Sequence, residues 1–256
     1  MVIDLTKVKW KKGSYGLPEA LYQIKTPGVT SIINDLVPDP DLDAFIAAVG
    51  PAKAEQIMTA AGYRGSAMHM FIENYVSKLV TTEPAVALKF TQEESPAMLL
   101  KEGVPEKKIA EGLDFFYKFY YSEFSNIYEE IVGTEMGVYS PTLFYRGKID
   151  MFYKHHVWDF SVADFKSMST PIKEGTAKHY KMKLQLGGYG NALDEMYQSK
   201  GLVIKYASLI CINKQDDVVQ EIACSGTELQ KMKIEFRNLA REWHIKYKQE
   251  YLLKNN

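Results

Sequence analysis

An aspartate and a lysine stand one residue apart in the segment VADFKSMS, whose other side chains are mostly apolar or small. Side chains on a strand alternate between its two faces, so Asp164 and Lys166 would share one face while Phe165 points to the other. A second aspartate, Asp150, lies upstream in YRGKID. If the two strand-like runs form a hairpin centred near Val157, Asp150 falls opposite Asp164. Two carboxylates and an ammonium group would then converge.

Such a cluster of charges has two interpretations. Desolvating the charges is costly unless they are paired, and a divalent cation held by the two carboxylates would offset that cost. A metal-bound water loses its proton far more readily than bulk water, so the cluster would also generate a nucleophile suited to attack on a phosphodiester. The alternative is a structural salt bridge from Asp150 or Asp164 to Lys166, and this segment alone leaves both interpretations open.

The composition limits the classes of protein to consider. The chain has 256 residues, 46% of them hydrophobic and 25% charged, which are ordinary globular proportions. Its formal charge of −1 means that any contact with nucleic acid must come from a local cluster of Lys and Arg. Two cysteines, Cys211 and Cys224, exclude a disulfide scaffold and a four-thiolate zinc or iron–sulfur site built from this chain alone.

No membrane or targeting segment is predicted. Neither end carries an apolar run approaching the roughly 20 residues of a membrane helix, and the opening segment MVIDLTKVKWKKGSYG lacks the features of a secretory or transit peptide. We therefore expect a cytoplasmic protein without membrane contact, and a phage or bacterial origin.

Helical periodicity dominates the first half of the chain. Residues 1–40 are expected to be extended or irregular, after which two short helices end at Gly50 and Gly62. A longer helix follows with Ser66 as its N-cap. Residues 81–105 are predicted to be a polar connection, and the aromatic-rich segment PEKKIAEGLDFFYKFYYSEF is predicted to be a further helix.

Beyond residue 130 the apolar period changes to about two, which favours strands. Strands are predicted near 131–140, 143–153, 157–166, 202–212 and 217–223, with helices at about 176–198 and from about 227. This order predicts an α/β fold, a mixed central β-sheet flanked by helices, with an N-terminal helical elaboration. We expect one domain over 1–256, with a mainly helical part at 1–130, the sheet and its core helix at 131–223, and a C-terminal helix at 224–256.

Four motifs follow one another along the chain: YRGSAMHMFIE, VGTEMGVYS, GKID followed by a hairpin and ADFK, and KLQLGGYGNAL. Together, and in this order, they resemble the motifs of the PD-(D/E)XK nucleases, in particular those of the RecB-type branch. The stretch from LDAFIAAVG to GSAMH is further similar to the subgroup that includes the mitochondrial genome maintenance exonuclease and many phage exonucleases. The resemblance covers residues 28–223 and is strongest at the motifs.

The resemblance implies a metal site on the fold of that family. It implies that Mg²⁺ or Mn²⁺ is held by His69, Asp150, Asp164 and the backbone carbonyl of Phe165, and that Lys166 positions or activates the attacking water. Glu135, in the glutamate-bearing strand, would contact a second metal or belong to a polar network. Some relatives hold an iron–sulfur cluster with four cysteines, and this chain cannot.

His69 and Glu73 lie four residues apart, on one face of a predicted helix. A histidine beside an apolar stripe can also be an ordinary core residue, so ligation of a metal by His69 depends on the family match. The same motif contains Arg64 and Ser66, which are expected to contact DNA.

Gln185 and Tyr189 are one helical turn apart, and Gly187 and Gly188 would let their helix approach the sheet closely. In the resembling family this helix borders the active site and contacts nucleic acid, and ordinary helix packing is the alternative. A run of positive charge precedes it, in which we expect Lys178, Lys181 and Lys183 to contact the phosphate backbone. A solvated basic face explains these lysines equally well.

The function implied by the resemblance is that of a metal-dependent DNA exonuclease that prefers single strands or strand ends, in replication, recombination or repair. Its expected partners are DNA and a phage or host recombination or single-strand-binding protein. An endonuclease or a duplex-end resecting nuclease is one alternative, because the fold hosts all of these activities. A catalytically silent nucleic-acid-binding module is another, although such a relative would be free to lose Asp150, Asp164 and Lys166.

Overall fold

A computed structural model describes residues 26–215 and 218–247. Its helices are α1 (Val29–Leu36), α2 (Pro40–Val49), α3 (Pro51–Leu79), α4 (Pro84–Lys101), α5 (Glu106–Tyr120), α6 (Ala177–Met196) and α7 (Gly226–Lys246), with short 3₁₀ helices at Glu123–Asn126 and Gln198–Lys200. Its strands are β1 (Tyr128–Ser140), β2 (Tyr145–His155), β3 (Asp159–Met168), β4 (Tyr206–Asn213) and β5 (Val219–Ser225). In the described part of the chain, no helix combines the length and apolar character needed to cross a membrane.

The five strands form one sheet in the order β1-β2-β3-β4-β5. β3 and β4 are parallel and joined through α6, whereas the other neighbours are antiparallel. Within the β2–β3 hairpin Met151 pairs with Ala163, so the same register places Asp150 opposite Asp164. The predicted mixed sheet with helices on its faces, and the hairpin centred near Val157, are confirmed.

The alternation of side chains along the strands creates two hydrophobic cores. Val162 and Leu209 pack on one face of the sheet together with residues of α1, α6 and α7. Ala163, Phe165 and Ile210 pack on the other face with residues of α3, α4 and α5. The site strand β3 is therefore held from both sides, and Phe165 points away from α6, as its position between Asp164 and Lys166 predicted.

The prediction of two separate helices between residues 51 and 79 was wrong, because α3 is continuous. Gly62 lies inside the helix and Ser66 is not an N-cap. A glycine inside a helix costs only about 1 kcal/mol relative to alanine, which packing of the helix readily offsets. That packing is close: a Cβ added at Gly112 of α5 would lie 2.4 Å from the Cβ of Ala67.

Two further segments were predicted to be irregular and are helical. The supposed polar connection contains α4, whose buried face includes Thr91 and Ser95 and is therefore weakly apolar. Its contact with α3 is polar as well, since the Asn74 side chain donates a hydrogen bond to the Ser95 hydroxyl at 2.9 Å. α1 lies within the first 40 residues, where no helix was predicted. The expectation for residues 1–25 lies outside the described residues.

Candidate active site

A cavity of about 550 Å³ opens between α3 and the strands β1, β2 and β3. Its charged wall includes His69, Glu135, Lys148, Asp150 and Lys166. A larger groove of about 680 Å³ lies along α7, but its lining is mostly apolar and lacks such a group of carboxylates and imidazole. The candidate site is therefore the smaller cavity.

α3 carries His69 to the cavity wall, where its Nδ1 lies 3.2 Å from the Oδ2 of Asp150. Burial by itself lowers the pKa of His69, but the Asp150 carboxylate outweighs burial and raises that pKa above its ordinary value. At Asp150 burial tends to raise the pKa, but His69 and Lys166 outweigh burial and hold that pKa below its usual range. The backbone N–H of Phe165 also donates to Asp150 Oδ2, at 2.6 Å. Asp150 is thus kept as a charged carboxylate inside the cavity.

Asp164 is 2% exposed and pairs with the ammonium group of Lys166. Burial and the neighbouring Asp150 raise the pKa of Asp164 to about 6, although Lys166 acts in the opposite direction. Burial tends to lower the pKa of Lys166, and the two aspartates together raise it above its ordinary value. Lys166 therefore remains an ammonium group, and the predicted convergence of two carboxylates and a lysine is present in the structure.

Three residues offer ligand atoms that all lie within 4.8 Å of one another: His69, Glu135 and Asp150. They come from α3, β1 and β2. One imidazole nitrogen with two carboxylates is a donor set that fits a divalent cation. Asp164 lies outside this group, and its carboxylate contacts Lys166 and the Gln185 side chain.

Glu135 reaches the cavity through an unusual backbone conformation. Thr134 and Met136 pair with Met151 and Ile149, so Glu135 stands across from Asp150. Its φ of +52° lies in the left-handed region, which non-glycine residues seldom adopt inside a strand. Backbone conformations of this kind cluster at functional sites, where the surrounding structure imposes them.

Residues 45–251 match the family model of the PD-(D/E)XK nuclease superfamily. The chain belongs to this superfamily. Nucleases of this superfamily use divalent metals, in agreement with the donor set of the cavity.

This nuclease also resembles solved structures. Among the solved structures that match is the crystal structure of a proposed exonuclease from Eubacterium rectale, which is 12% identical and covers 71% of this chain and 68% of its own, with a TM-score of 0.43. A likeness of this degree adds no functional argument. No curated protein matches the chain.

The nuclease places Gln185 and Tyr189 behind Asp164, away from the protein surface. Both are less than a tenth exposed, and Gln185 Nε2 donates to Asp164 Oδ1 at 3.3 Å and to the Tyr189 hydroxyl at 2.8 Å. The expectation that Gly187 lets α6 approach the sheet closely was also wrong. A Cβ at Gly187 would lie 2.5 Å from the backbone of Met232, so this glycine allows a close approach to α7.

The predicted basic run is largely paired. Lys181 Nζ lies 3.2 Å from an Asp39 carboxylate oxygen, and Lys183 Nζ lies 2.6 Å from a Glu228 carboxylate oxygen. Lys178 is exposed, and no ion pair is recorded for it among the described residues. Lys178 therefore remains the candidate phosphate contact among these three lysines.

Arg64 and Ser66 occupy different environments. Arg64 is 7% exposed, with Nη1 3.8 Å from Glu111 Oε2 and its guanidinium 5.4 Å from the centre of the Phe115 ring. It therefore joins α3 to α5, and its side chain is buried. Ser66 lines the cavity.

Sequence reasoning missed Lys148 and Glu102, which also line the cavity. Lys148 could have been found, because it precedes Asp150 by two residues and must share its strand face. Glu102 follows α4 directly, so it could not be placed while that helix was taken for a loop.

Proposed function

We propose that this chain is a metal-dependent DNA exonuclease of the RecB-type branch that prefers single strands or strand ends. The observation that supports this most is the meeting of His69, Glu135, Asp150 and Lys166 in one cavity of a PD-(D/E)XK nuclease. A divalent cation bound there would lower the pKa of a coordinated water and so supply the nucleophile. Mg²⁺ and Mn²⁺ are the candidates.

Each side chain has a distinct task in this proposal. His69, Glu135 and Asp150 would hold the cation, and Asp164, which pairs with Lys166 in the metal-free protein, would complete the ligand set together with the Phe165 carbonyl. Lys166 stays protonated between two carboxylates, so it can orient the attacking water and stabilise the negative charge that develops on the phosphate. Gln185 does not touch substrate and acts as a positioning residue that fixes the Asp164 carboxylate.

The proposed exonuclease mode is tested with linear and circular single-stranded DNA of equal length, each incubated with Mg²⁺ and with Mn²⁺. We expect the linear strand to be shortened from an end and the circle to stay intact. Cleaved circles would favour an endonuclease, preference for duplex ends would favour a resecting nuclease, and binding without cleavage would favour a silent module. Asp150→Asn protein, purified in parallel, controls for contaminating nucleases.

The proposed preference for single strands places the protein where DNA ends are processed, in replication, recombination or repair. A phage or host recombination or single-strand-binding protein would be a partner consistent with such a substrate. The pathway and the partner are both inferred from the proposed substrate, so neither stands if the protein does not degrade single-stranded DNA.

We expect Lys178, the exposed lysine near the start of α6, to contact a phosphate of the bound strand. Each phosphate contact on a single strand contributes about 0.7 to the slope of log affinity against log salt. Lys178→Ala should therefore reduce the slope by about that amount, measured by anisotropy with a single-stranded oligonucleotide in chelator. Lys183→Ala is the matched control, because its ammonium is already held by Glu228. Equal slopes for wild type and Lys178→Ala would remove Lys178 from the surface.

A further inference from the structure

Lys148 occupies the rim of the candidate metal site, and neither the superfamily match nor the motif resemblance gives it a role. Its ammonium group pairs with the carboxylate of Glu135, and the side chains are 49% and 17% exposed respectively. Lys148 lies two residues before Asp150 on β2, so both side chains leave the same face of the strand. The lysine therefore holds one of the carboxylates that would bind the cation.

The two members of this ion pair differ in their freedom to move. Glu135 is mostly buried, at 17% exposed, and the hydroxyl of its neighbour Thr134 forms a hydrogen bond with the Ser77 hydroxyl of α3 at 2.7 Å. Lys148 is half-exposed and ends in a compact charge on a flexible four-carbon stem. When the environment of the pair changes, the lysine is the partner that can leave.

We propose that Lys148 is a displaceable counter-ion, which neutralises Glu135 in the metal-free protein and moves to a backbone phosphate of the DNA strand once a cation is bound. The inference rests on the proposed function. A divalent cation bound by Glu135 repels an ammonium group held at the same carboxylate, and the repulsion falls when the ammonium moves away. A phosphate at the cavity mouth offers the ammonium a new partner.

This exchange makes metal binding and DNA binding cooperative. Without DNA, Lys148 competes with the cation for Glu135 and weakens metal affinity. With DNA present, Lys148 is engaged by phosphate and the competition ends, so DNA strengthens metal binding and, by linkage, metal strengthens DNA binding to the same degree. Lys148 is thus a positioning residue that couples the two ligands, and its removal should act on them in opposite directions.

The experiment measures both affinities on the full chain. Mn²⁺ is titrated by calorimetry without DNA, and a single-stranded oligonucleotide is titrated by anisotropy in chelator and in Ca²⁺, with its integrity checked on a gel. Lys148→Ala should bind Mn²⁺ about 3- to 10-fold more tightly than wild type, since one nearby positive charge is removed. It should bind the oligonucleotide more weakly in Ca²⁺ and nearly as wild type in chelator.

Lys154→Ala is the matched control. Lys154 lies on the same strand and pairs with Glu129 of β1 at 3.5 Å, but neither residue lines the cavity. Both of its affinities should equal those of wild type. Lys148→Gln, which keeps most of the side-chain length without the charge, should behave as Lys148→Ala, and melts in chelator verify that each variant is folded.

The outcomes separate the inference from the proposed function beneath it. Wild type that binds no Mn²⁺ would defeat the metal site itself. Wild type that binds Mn²⁺ while Lys148→Ala binds it equally or less tightly would overturn the counter-ion role. Tighter Mn²⁺ binding by Lys148→Ala with unchanged oligonucleotide affinity in Ca²⁺ would overturn the transfer to phosphate.

Discussion

Asp164→Asn is expected to abolish cleavage, a loss of about 1,000-fold or more, while the metal-free protein stays folded. The change preserves the shape of the side chain, and the amide oxygen can still accept the hydrogen bond from Gln185. It removes the negative charge of Asp164, which attracts Lys166 and would attract the cation. Cleavage of an end-labelled single-stranded oligonucleotide in Mn²⁺, followed on a gel, measures the loss.

The same substitution should leave the melting temperature in chelator unchanged or raise it. Burial and Asp150 raise the pKa of Asp164 to about 6, so ionisation of this carboxyl is less favourable in the folded than in the unfolded chain. A raised pKa of this kind contributes stability at low pH that is lost as the pH rises through about 6. Above that pH the neutral asparagine avoids the penalty, and Lys166 retains its attraction to Asp150.

Asp159→Asn is the matched control for this prediction. It makes the same chemical change on the same strand, at an exposed residue with φ of +62°, a conformation that asparagine tolerates well. It should keep full activity. Undiminished cleavage by Asp164→Asn would refute the site as proposed, and loss of folding together with activity would favour the purely structural salt bridge.

The sheet that carries these residues was predictable because its signals are local. Period-two alternation and the polar turn near Val157 fix the register of one hairpin, and that register alone brings Asp150 to Asp164. Asp164 and Lys166 then meet because they are two residues apart. No long-range information is needed for this part of the site.

The helical half was harder to predict because its packing is made of small and polar groups. α4 buries Thr91 and Ser95 against α3, so its inner face lacks the apolar stripe that identifies an amphipathic helix. α3 contains Gly62, which was expected to end a helix, yet the helix continues and packs closely on α5, where Gly112 leaves room for Ala67. Tertiary contact overrode local propensity in both cases.

The surroundings of the site depend on partners that are distant in the chain. Lys181 forms an ion pair with Asp39, and Arg64 forms one with Glu111, so both charges already have partners within the protein. A count of basic residues along α3 or α6 cannot reveal this, since the acidic partners come from other elements. The proximity of His69 to Asp150 likewise could not be predicted from local sequence, because the two residues lie on α3 and β2. The proposed role of His69 as a ligand rests on the resemblance to the family motif.

His69→Ala should weaken metal binding and lower activity without much effect on the metal-free fold. The ring lies at the cavity wall and is 29% exposed, so its removal enlarges a space that is already open to solvent. Loss of one ligand side chain should reduce Mn²⁺ affinity by about 10- to 100-fold, by analogy with the effect of residues that support metal ligands. Because imidazole suits Mn²⁺ better than Mg²⁺, activity should return in part at high Mn²⁺.

His244→Ala is the control that separates a ligand from a core histidine. His244 is fully buried in α7, and its Nε2–H donates a hydrogen bond to the Leu143 carbonyl at 2.8 Å. Removing it leaves a cavity and an unpaired carbonyl, so it should destabilise the metal-free protein by about 1–3 kcal/mol and leave Mn²⁺ affinity unchanged. Calorimetric titrations of Mn²⁺ and thermal melts in chelator, run on both variants, should give opposite patterns. If His69→Ala instead follows the pattern of His244→Ala, the imidazole leaves the ligand set, and the cation must be held by carboxylates and the Phe165 carbonyl alone.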